Sequence, residues 1–189
     1  MSELFTQWLP HAGAALVVAS VATVITRRFI VHRSAQGMIF GAVFLACLIP
    51  LPAFSLTHYI RVLTGDLSIT GLIILALAAY QSIRSSKSRP DYTQLMPPAL
   101  VLVVVSVVLY PTALGLTYFD LYAYGYYPII LGPILFVLFA SAVWFGLTLS
   151  AVLLAMGFLA FALGVLESDN LWDYLIDPVV AAYAFYMVI

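Results

Sequence analysis

The longest apolar run of the sequence extends from Ile129 to Val165 without a charged residue. A membrane-crossing helix needs about 20 predominantly apolar residues, so this run is too long for one span and long enough for two. Gly146 lies near the middle of the run, and glycine favours a break between helices. We therefore predict a tight helical hairpin that turns near Phe145 and Gly146.

The composition predicts a membrane protein over the whole chain. Hydrophobic residues make up 65% and charged residues 8%, whereas soluble domains carry about 25% charged residues. We predict an all-α integral membrane protein, a single polytopic domain over residues 1–189, with a bundle of six transmembrane helices. The predicted spans are 9–26, 35–50, 67–83, 97–114, 129–145 and 147–166, and residues 169–189 form a possible kinked seventh span.

The basic residues predict the orientation of these spans. Most of them fall in two predicted loops on the same side of the bundle, and Arg61 falls on the other side. Because Lys and Arg concentrate in cytoplasmic loops, the N-terminus is predicted to be extracytoplasmic, with a bacterial inner membrane as the default location. The residues of the two basic loops are Arg27, Arg28, Arg33, Arg84, Lys87 and Arg89.

Several classes of function are disfavoured by what the sequence lacks. The net charge of −1 provides no basic surface for nucleic acid, and the single Cys47 excludes an intrachain disulfide or a cysteine metal cluster. No ionisable residue lies near the middle of the first six predicted spans, which argues against an ion-coupled transporter. No HExxH, GxSxG or glycine-rich phosphate loop occurs.

The scarce acidic residues concentrate in the stretch ESDNLWDYLID, residues 167–177. Asp169, Asp173 and Asp177 recur every fourth residue, a spacing that places side chains on one face of a helix. Together with nearby tyrosines, the acids predict an acidic, aromatic rim at the extracytoplasmic side. The predicted ligand- or partner-binding residues of this rim are Arg61, Tyr118, Asp120, Tyr124, Glu167, Asp169, Trp172, Asp173 and Asp177.

A structural and a functional interpretation of the rim both remain open. Structurally, the aromatic residues form an interfacial belt, Asp66 caps the third span, Asp120 caps a short loop helix, and the acids of 167–177 form a solvated helix face. Functionally, the rim binds a partner protein or a glycolipid headgroup. Carboxylates and imidazole are also ligands for a divalent metal ion, and the candidate metal residues are His58, Asp66, Asp120 and Glu167.

Three hypotheses of function follow. The favoured one is a non-catalytic membrane component whose rim binds another membrane or extracytoplasmic protein or a glycolipid in the bilayer, with no nucleic-acid partner, for example in envelope assembly. The second is an intramembrane metal-assisted hydrolase or transferase acting on lipid-linked substrates, with an aspartate of 167–177 as general base. The third is an uncoupled cation facilitator with a charged ring at its mouth.

Overall fold

The fold is helical throughout the described residues. The computed structural model describes residues 2–26, 29–30, 32–49, 59, 65–84 and 92–189, and no strand occurs in these ranges. The helices are α1 (Ser2–Thr26), α2 (Arg33–Leu48), α3 (Ile69–Arg84), α4 (Tyr92–Ala113), a 3₁₀ helix (Tyr122–Tyr126), α5 (Pro128–Trp144), α6 (Thr148–Ala162), α7 (Trp172–Leu175) and α8 (Pro178–Val188).

The all-α class is confirmed for these ranges, but the bundle of six spans is not. Among the described helices, only Thr93–Ala113 is long and apolar enough to cross a membrane by length and composition. Helices α2, α3, α5, α6 and α8 have 11–17 residues, so the longest of these five extends about 26 Å, less than the roughly 30 Å hydrocarbon core. Helix α6 ends before the predicted bound of 166 because Gly164 adopts a left-handed φ of +59°.

The chain divides into two compact units, and the first comprises Met1–Leu67 and Leu72–Pro90. In this unit α1 packs against α2. Ala15 and Ala19 of α1 are fully buried, and such small side chains let helices approach closely. The assignment of the whole chain to one membrane domain stays a prediction.

The second unit comprises Ser68–Gly71 and Asp91–Ile189. Helix α4 packs against α6 and α8, and α5 packs against α6 and the 3₁₀ helix. Leu131 and Leu135 of α5 form a buried core with Leu171 and Leu175. Two leucines of the acidic segment 167–177 therefore hold it against α5.

The predicted hairpin between α5 and α6 is confirmed. Gly146 has a φ of +68°, and the Leu147 N–H donates to the Ala142 carbonyl at 2.8 Å, the bond that closes a helix with a left-handed terminal residue. Gln94 of α4 fixes this turn. Its amide donates to the Gly146 carbonyl at 3.2 Å and accepts from the Leu149 N–H at 3.3 Å, so one side chain ties the hairpin to α4.

Candidate functional site

The acidic segment 167–177 does not form the predicted helix face. Only the single turn of α7 is helical, and Asp177 is extended, with φ −138° and ψ 166°. Pro178 then begins α8, since proline suits the first position of a helix. The prediction that Asp169, Asp173 and Asp177 share one face is therefore wrong. The kinked seventh span is not confirmed, because α8 has 11 residues, about 16 Å of helix.

Asp177 is 3% exposed and accepts four hydrogen bonds. Its Oδ1 caps α8 by accepting from the N–H groups of Val179 and Val180 at 2.8 and 2.9 Å. Its Oδ2 accepts from the Ser68 N–H at 2.9 Å and from the Ser68 hydroxyl at 2.6 Å. Ser68 Oγ accepts in turn from the Gly71 N–H at 2.9 Å. One buried carboxylate thus holds the N-termini of two helices, whose dipoles favour negative charge.

The residue that caps α3 is Ser68, where the sequence predicted Asp66. Ser68 directly precedes Ile69, the first residue of the helix, and its side chain bonds the third N–H of the helix. A Cβ on Gly71 would meet Asp177 Oδ2 and would lie 3.2 Å from Ser68 Oγ. Glycine at this position therefore gives the carboxylate room to reach the helix terminus.

Asp173 forms a second hydrogen-bonded cluster. The Tyr122 hydroxyl lies 2.9 and 3.0 Å from its two carboxylate oxygens, and the Ser168 hydroxyl donates to Oδ2 at 2.5 Å. Burial, followed by the hydrogen bond to Asp173, raises the pKa of Tyr122 above its usual value. Tyr122 is therefore a protonated donor at neutral pH, and Asp173 is engaged inside the protein.

Asn170 and Trp172 dock the acidic segment onto the 3₁₀ helix. Asn170 is fully buried, and its Nδ2 donates to the Tyr122 carbonyl at 3.0 Å. The Trp172 indole N–H donates to the Leu121 carbonyl at 3.0 Å. A Cβ on Gly125 would meet Asn170 Oδ1 and would lie 2.6 Å from Trp172 Cδ1. The close approach of the two segments thus requires glycine at this point.

Tyr174 holds residues 167–177 against the end of α6. Its fully buried hydroxyl lies 3.0 Å from the carbonyl oxygens of Leu166 and Ser168, and its ring packs edge-on against Phe161 at 5.3 Å between centroids. Burial raises the pKa of Tyr174, which keeps the hydroxyl protonated. The 3₁₀ helix, Tyr127 directly after it and residues 167–177 form one hydrogen-bonded body, which we call the platform.

The platform exposes aromatic rings and two carboxylates. Tyr126 and Tyr127, at the end of the 3₁₀ helix, are 52% and 60% exposed, and Tyr124 is also exposed. Glu167 and Asp169 are exposed in the docked segment. The platform thus has a polar interior that fixes its backbone and a surface of tyrosine rings and acidic groups.

The other predicted rim residues are placed differently. Asp120 precedes the 3₁₀ helix and accepts a hydrogen bond of 3.1 Å from one of its main-chain N–H groups, as expected of a cap. Tyr118 is exposed in the same loop. Asp66 belongs to the first unit, and Arg61 and His58 lie outside the described residues.

The metal site stays a prediction. Within the part of the chain that the structure describes, no three His, Cys, Asp or Glu side chains group closely enough to hold a metal ion. The proposed set of His58, Asp66, Asp120 and Glu167 includes a residue outside that part. Of these four, Asp120 has a structural role as a cap.

Sequence reasoning missed four residues that build the platform and its link to α3: Ser68, Tyr122, Ser168 and Asn170. Ser68 could have been found from the sequence, because a serine directly before an apolar run is typical of a helix start. The bond from Tyr122 to Asp173 joins residues 51 positions apart. Short-range patterns carry no information about such a pair.

An elongated apolar cavity of about 320 Å³ lies in the second unit between α4, α5 and α6. Its walls include Val101 and Val105 of α4 and Ile134 and Leu138 of α5. Trp172 of the platform lines the same cavity. Pockets of roughly 300–1,000 Å³ with apolar walls are typical of small-molecule and lipid sites.

Comparison of the chain with known protein families, curated proteins and solved structures finds no match. The interpretation of the site therefore rests on its own geometry. That geometry combines the buried carboxylate of Asp177 and the partly buried carboxylate of Asp173, which accept internal hydrogen bonds, exposed tyrosines, and an apolar cavity that Trp172 of the platform lines.

Proposed function

We propose that this chain is a non-catalytic, multi-pass membrane component whose platform binds the sugar headgroup of a glycolipid at the extracytoplasmic surface. The observation that carries the proposal is the construction of the platform. Its carboxylates Asp173 and Asp177 face inward and fix the backbone, while Tyr124, Tyr126 and Tyr127 face outward.

The surface of the helices supports a membrane location. Large apolar side chains are exposed along the second unit, among them Val104 of α4, Phe136 and Val137 of α5 and Leu159 of α6. Exposed apolar surface on this scale is rare in soluble monomers and suits contact with lipid. The extracytoplasmic position of the platform follows from the distribution of Lys and Arg in the sequence.

The exposed groups of the platform suit a carbohydrate. Tyrosine rings offer flat apolar faces for stacking against the C–H groups of a sugar, and their hydroxyls donate and accept hydrogen bonds. Glu167 and Asp169 add exposed acceptors for sugar hydroxyls. Because the backbone is held by internal bonds, little ordering is needed on binding, which favours affinity.

The inward carboxylates favour binding over catalysis. Asp177 accepts four hydrogen bonds, and Asp173 accepts from two hydroxyl groups, so both carboxylates are engaged in holding structure. A general base needs to reach a substrate proton at hydrogen-bond distance. Within the platform, only Glu167 and Asp169 are exposed acids.

The test is to identify the lipids that stay bound to the full chain after mild detergent extraction from the membranes of cells that produce it. We expect about one glycolipid per chain, and about tenfold lower occupancy in the double variant Tyr126→Ala/Tyr127→Ala. The matched control Phe136→Ala/Trp144→Ala removes two exposed aromatic residues of α5 that lie outside the platform and outside the apolar cavity, and it retains the lipid.

Two results would contradict the proposal. Equal glycolipid content in the wild type and both double variants would show that the platform tyrosines do not bind the headgroup. A stoichiometric partner protein in place of the glycolipid would assign the platform to protein recognition.

A further inference from the structure

We infer that the cavity between α4, α5 and α6 binds one hydrocarbon chain of a membrane lipid. The identity of the headgroup rests on the proposed function, whereas the choice of a hydrocarbon chain rests on the cavity itself. Four properties of the cavity support this: its shape, its chemistry, its opening and its contact with the platform.

The cavity has the shape of a slot. Its lining runs from Leu131 to Phe145 on α5 and from Pro97 to Val105 on α4, about 21 Å and 12 Å of helix at 1.5 Å per residue. Its volume of about 320 Å³ is spread along these walls, so the slot is narrow. An α-helix is about 10 Å across and does not fit, whereas an unbranched hydrocarbon chain is slim enough to lie along such a slot.

The lining is almost entirely carbon. Ser141, one of its few polar residues, already donates to the Val137 carbonyl of its own helix at 2.8 Å. The hydroxyl of Ser150, which also lines the slot, has no hydrogen-bond partner among the described residues. An ordered water needs two to four polar partners, so this single hydroxyl does not suffice to hold one. A hydrocarbon chain instead gives the wall atoms the dispersion contacts that an empty slot lacks.

The slot opens sideways between α4 and α5. Val101, Ile134 and Leu138 line it and are themselves exposed. A chain can therefore enter laterally from a bilayer without passing through the protein. This opening distinguishes the slot from a closed packing defect.

One end of the slot meets the platform. Trp172 and Ile176 line that end, and the Trp172 indole N–H donates to the Leu121 carbonyl at 3.0 Å. The same side chain thus contacts the slot and fixes the surface proposed to bind a headgroup. A second hollow of about 350 Å³, lined by α5 and α6 alone, has no platform residue in its lining, and we assign it no ligand.

The experiment uses the full chain reconstituted in vesicles of phosphatidylcholine, extracted into mild detergent and measured by native mass spectrometry. Leu138→Trp places an indole in the slot from its exposed edge. Val137→Trp, at the neighbouring exposed position outside the slot, is the matched control. We expect one retained phospholipid per chain in the wild type and the control, and about tenfold lower occupancy in Leu138→Trp.

A second variant keeps the test decisive if Leu138→Trp does not fold. Ala142→Phe fills the slot from its buried wall, and Ala140→Phe is its exposed control on the same helix. Absence of retained phospholipid in the wild type overturns the inference. Equal retention in slot and control variants also overturns it, because the lipid would then be bound on the general surface.

Phosphatidylcholine carries no sugar, so this result is independent of the proposed function. Retention that depends on the slot, combined with no preference for a glycolipid, would support the chain site and reject the sugar headgroup. A glycolipid that binds through Tyr126 and Tyr127 equally well in Leu138→Trp would support the platform and reject the chain site.

Discussion

The α5–α6 hairpin and the platform lie in the same unit but are held by different forces. Between Pro128 and Ala162 the hairpin has no charged residue, and Gln94 ties it to α4 through its side-chain amide. The platform, a much shorter segment, makes side-chain hydrogen bonds through Tyr122, Asn170, Asp173 and Tyr174. Apolar contacts impose no direction on the hairpin, whereas the hydrogen bonds of the platform require donors and acceptors to face each other.

This contrast shows that, in so apolar a chain, the few buried polar groups determine which conformation forms. Burial of leucines is favourable in many arrangements, because dispersion and hydrophobic terms have no direction. A buried carboxylate is stable only with its donors in place. We therefore expect substitutions in the platform to cost more than substitutions of similar size in the hairpin.

The largest effect is expected for Asp177→Ala. The change leaves four donors of Ser68, Val179 and Val180 without their partner in a buried site. Each unpaired buried donor costs about 1–3 kcal/mol and a lost cap about 1 kcal/mol, so we expect a loss on the order of 4 kcal/mol. Denaturant unfolding of the two detergent-solubilised proteins measures this difference in the free energy of unfolding.

The control for this change is Asp169→Ala, at an exposed position of the same segment. We expect the free energy of unfolding to change by less than about 0.5 kcal/mol. Similar losses in Asp177→Ala and Asp169→Ala would show that the two aspartates are equivalent, as the four-residue repeat alone predicts.

The second largest effect is expected for Gly125→Ala. The added methyl group would meet Asn170 Oδ1 and Trp172 Cδ1, so the docked segment must shift. Such overpacking costs about 1–3 kcal/mol. The same change at Gly132 of α5 meets only Phe158 at 3.8 Å and is expected to be neutral or stabilising. If the two variants unfold at the same temperature, the close docking at Gly125 is refuted.

A smaller, pH-dependent effect is expected for Tyr122→Phe. The pKa of Tyr122 is raised in the folded state, so this group stabilises the protein fully below about pH 10 and less as the pH rises through the folded pKa. The variant should lose about 1 kcal/mol at neutral pH. Above about pH 10, its stability should decline less steeply than that of the wild type.

Unfolding temperatures of both proteins between about pH 7 and pH 11 measure this difference. Tyr174, whose pKa is also raised, is present in both proteins, so the difference between them reports on Tyr122 alone. If the unfolding temperatures of the two proteins fall in parallel as the pH rises, the protonated Tyr122 hydroxyl does not stabilise the fold.

The smallest effect on stability is expected for Glu167→Gln combined with Asp169→Asn. Both side chains are exposed, so the free energy of unfolding should change by less than about 0.5 kcal/mol. Glycolipid occupancy should nevertheless fall about threefold, because two acceptors for sugar hydroxyls are weakened. A large loss of stability with unchanged occupancy would assign these acids to the structural network.

The sequence predicted features that depend on neighbouring residues. Gly146 marks the hairpin turn within an apolar run, and Asp120 caps the 3₁₀ helix by accepting from the main-chain N–H of Ala123, three residues later. Helix α4 covers most of the predicted span 97–114 and is long and apolar enough to cross a membrane by length and composition. Each of these signals is local and acts through backbone conformation or hydrophobicity.

The platform was not predicted because its bonds are long-range. Ser68 and Asp177 are 109 positions apart, and no periodic pattern links them. The four-residue spacing of the acids suggested a helix, but Asp177 is needed as a cap and Pro178 starts a new helix. Tertiary hydrogen bonds therefore override the local helical spacing in this segment.

Hydrogen exchange of the intact protein in detergent tests most directly the central claim that internal bonds hold the platform in one conformation. The amides of Leu171, Tyr174, Val179 and Val180 all donate within the protein. We expect them to exchange as slowly as those of α5 and α6, and to lose this protection in Asp177→Ala. Exchange of the wild-type segment as fast as that of the exposed loop 114–119 would contradict a preformed binding surface.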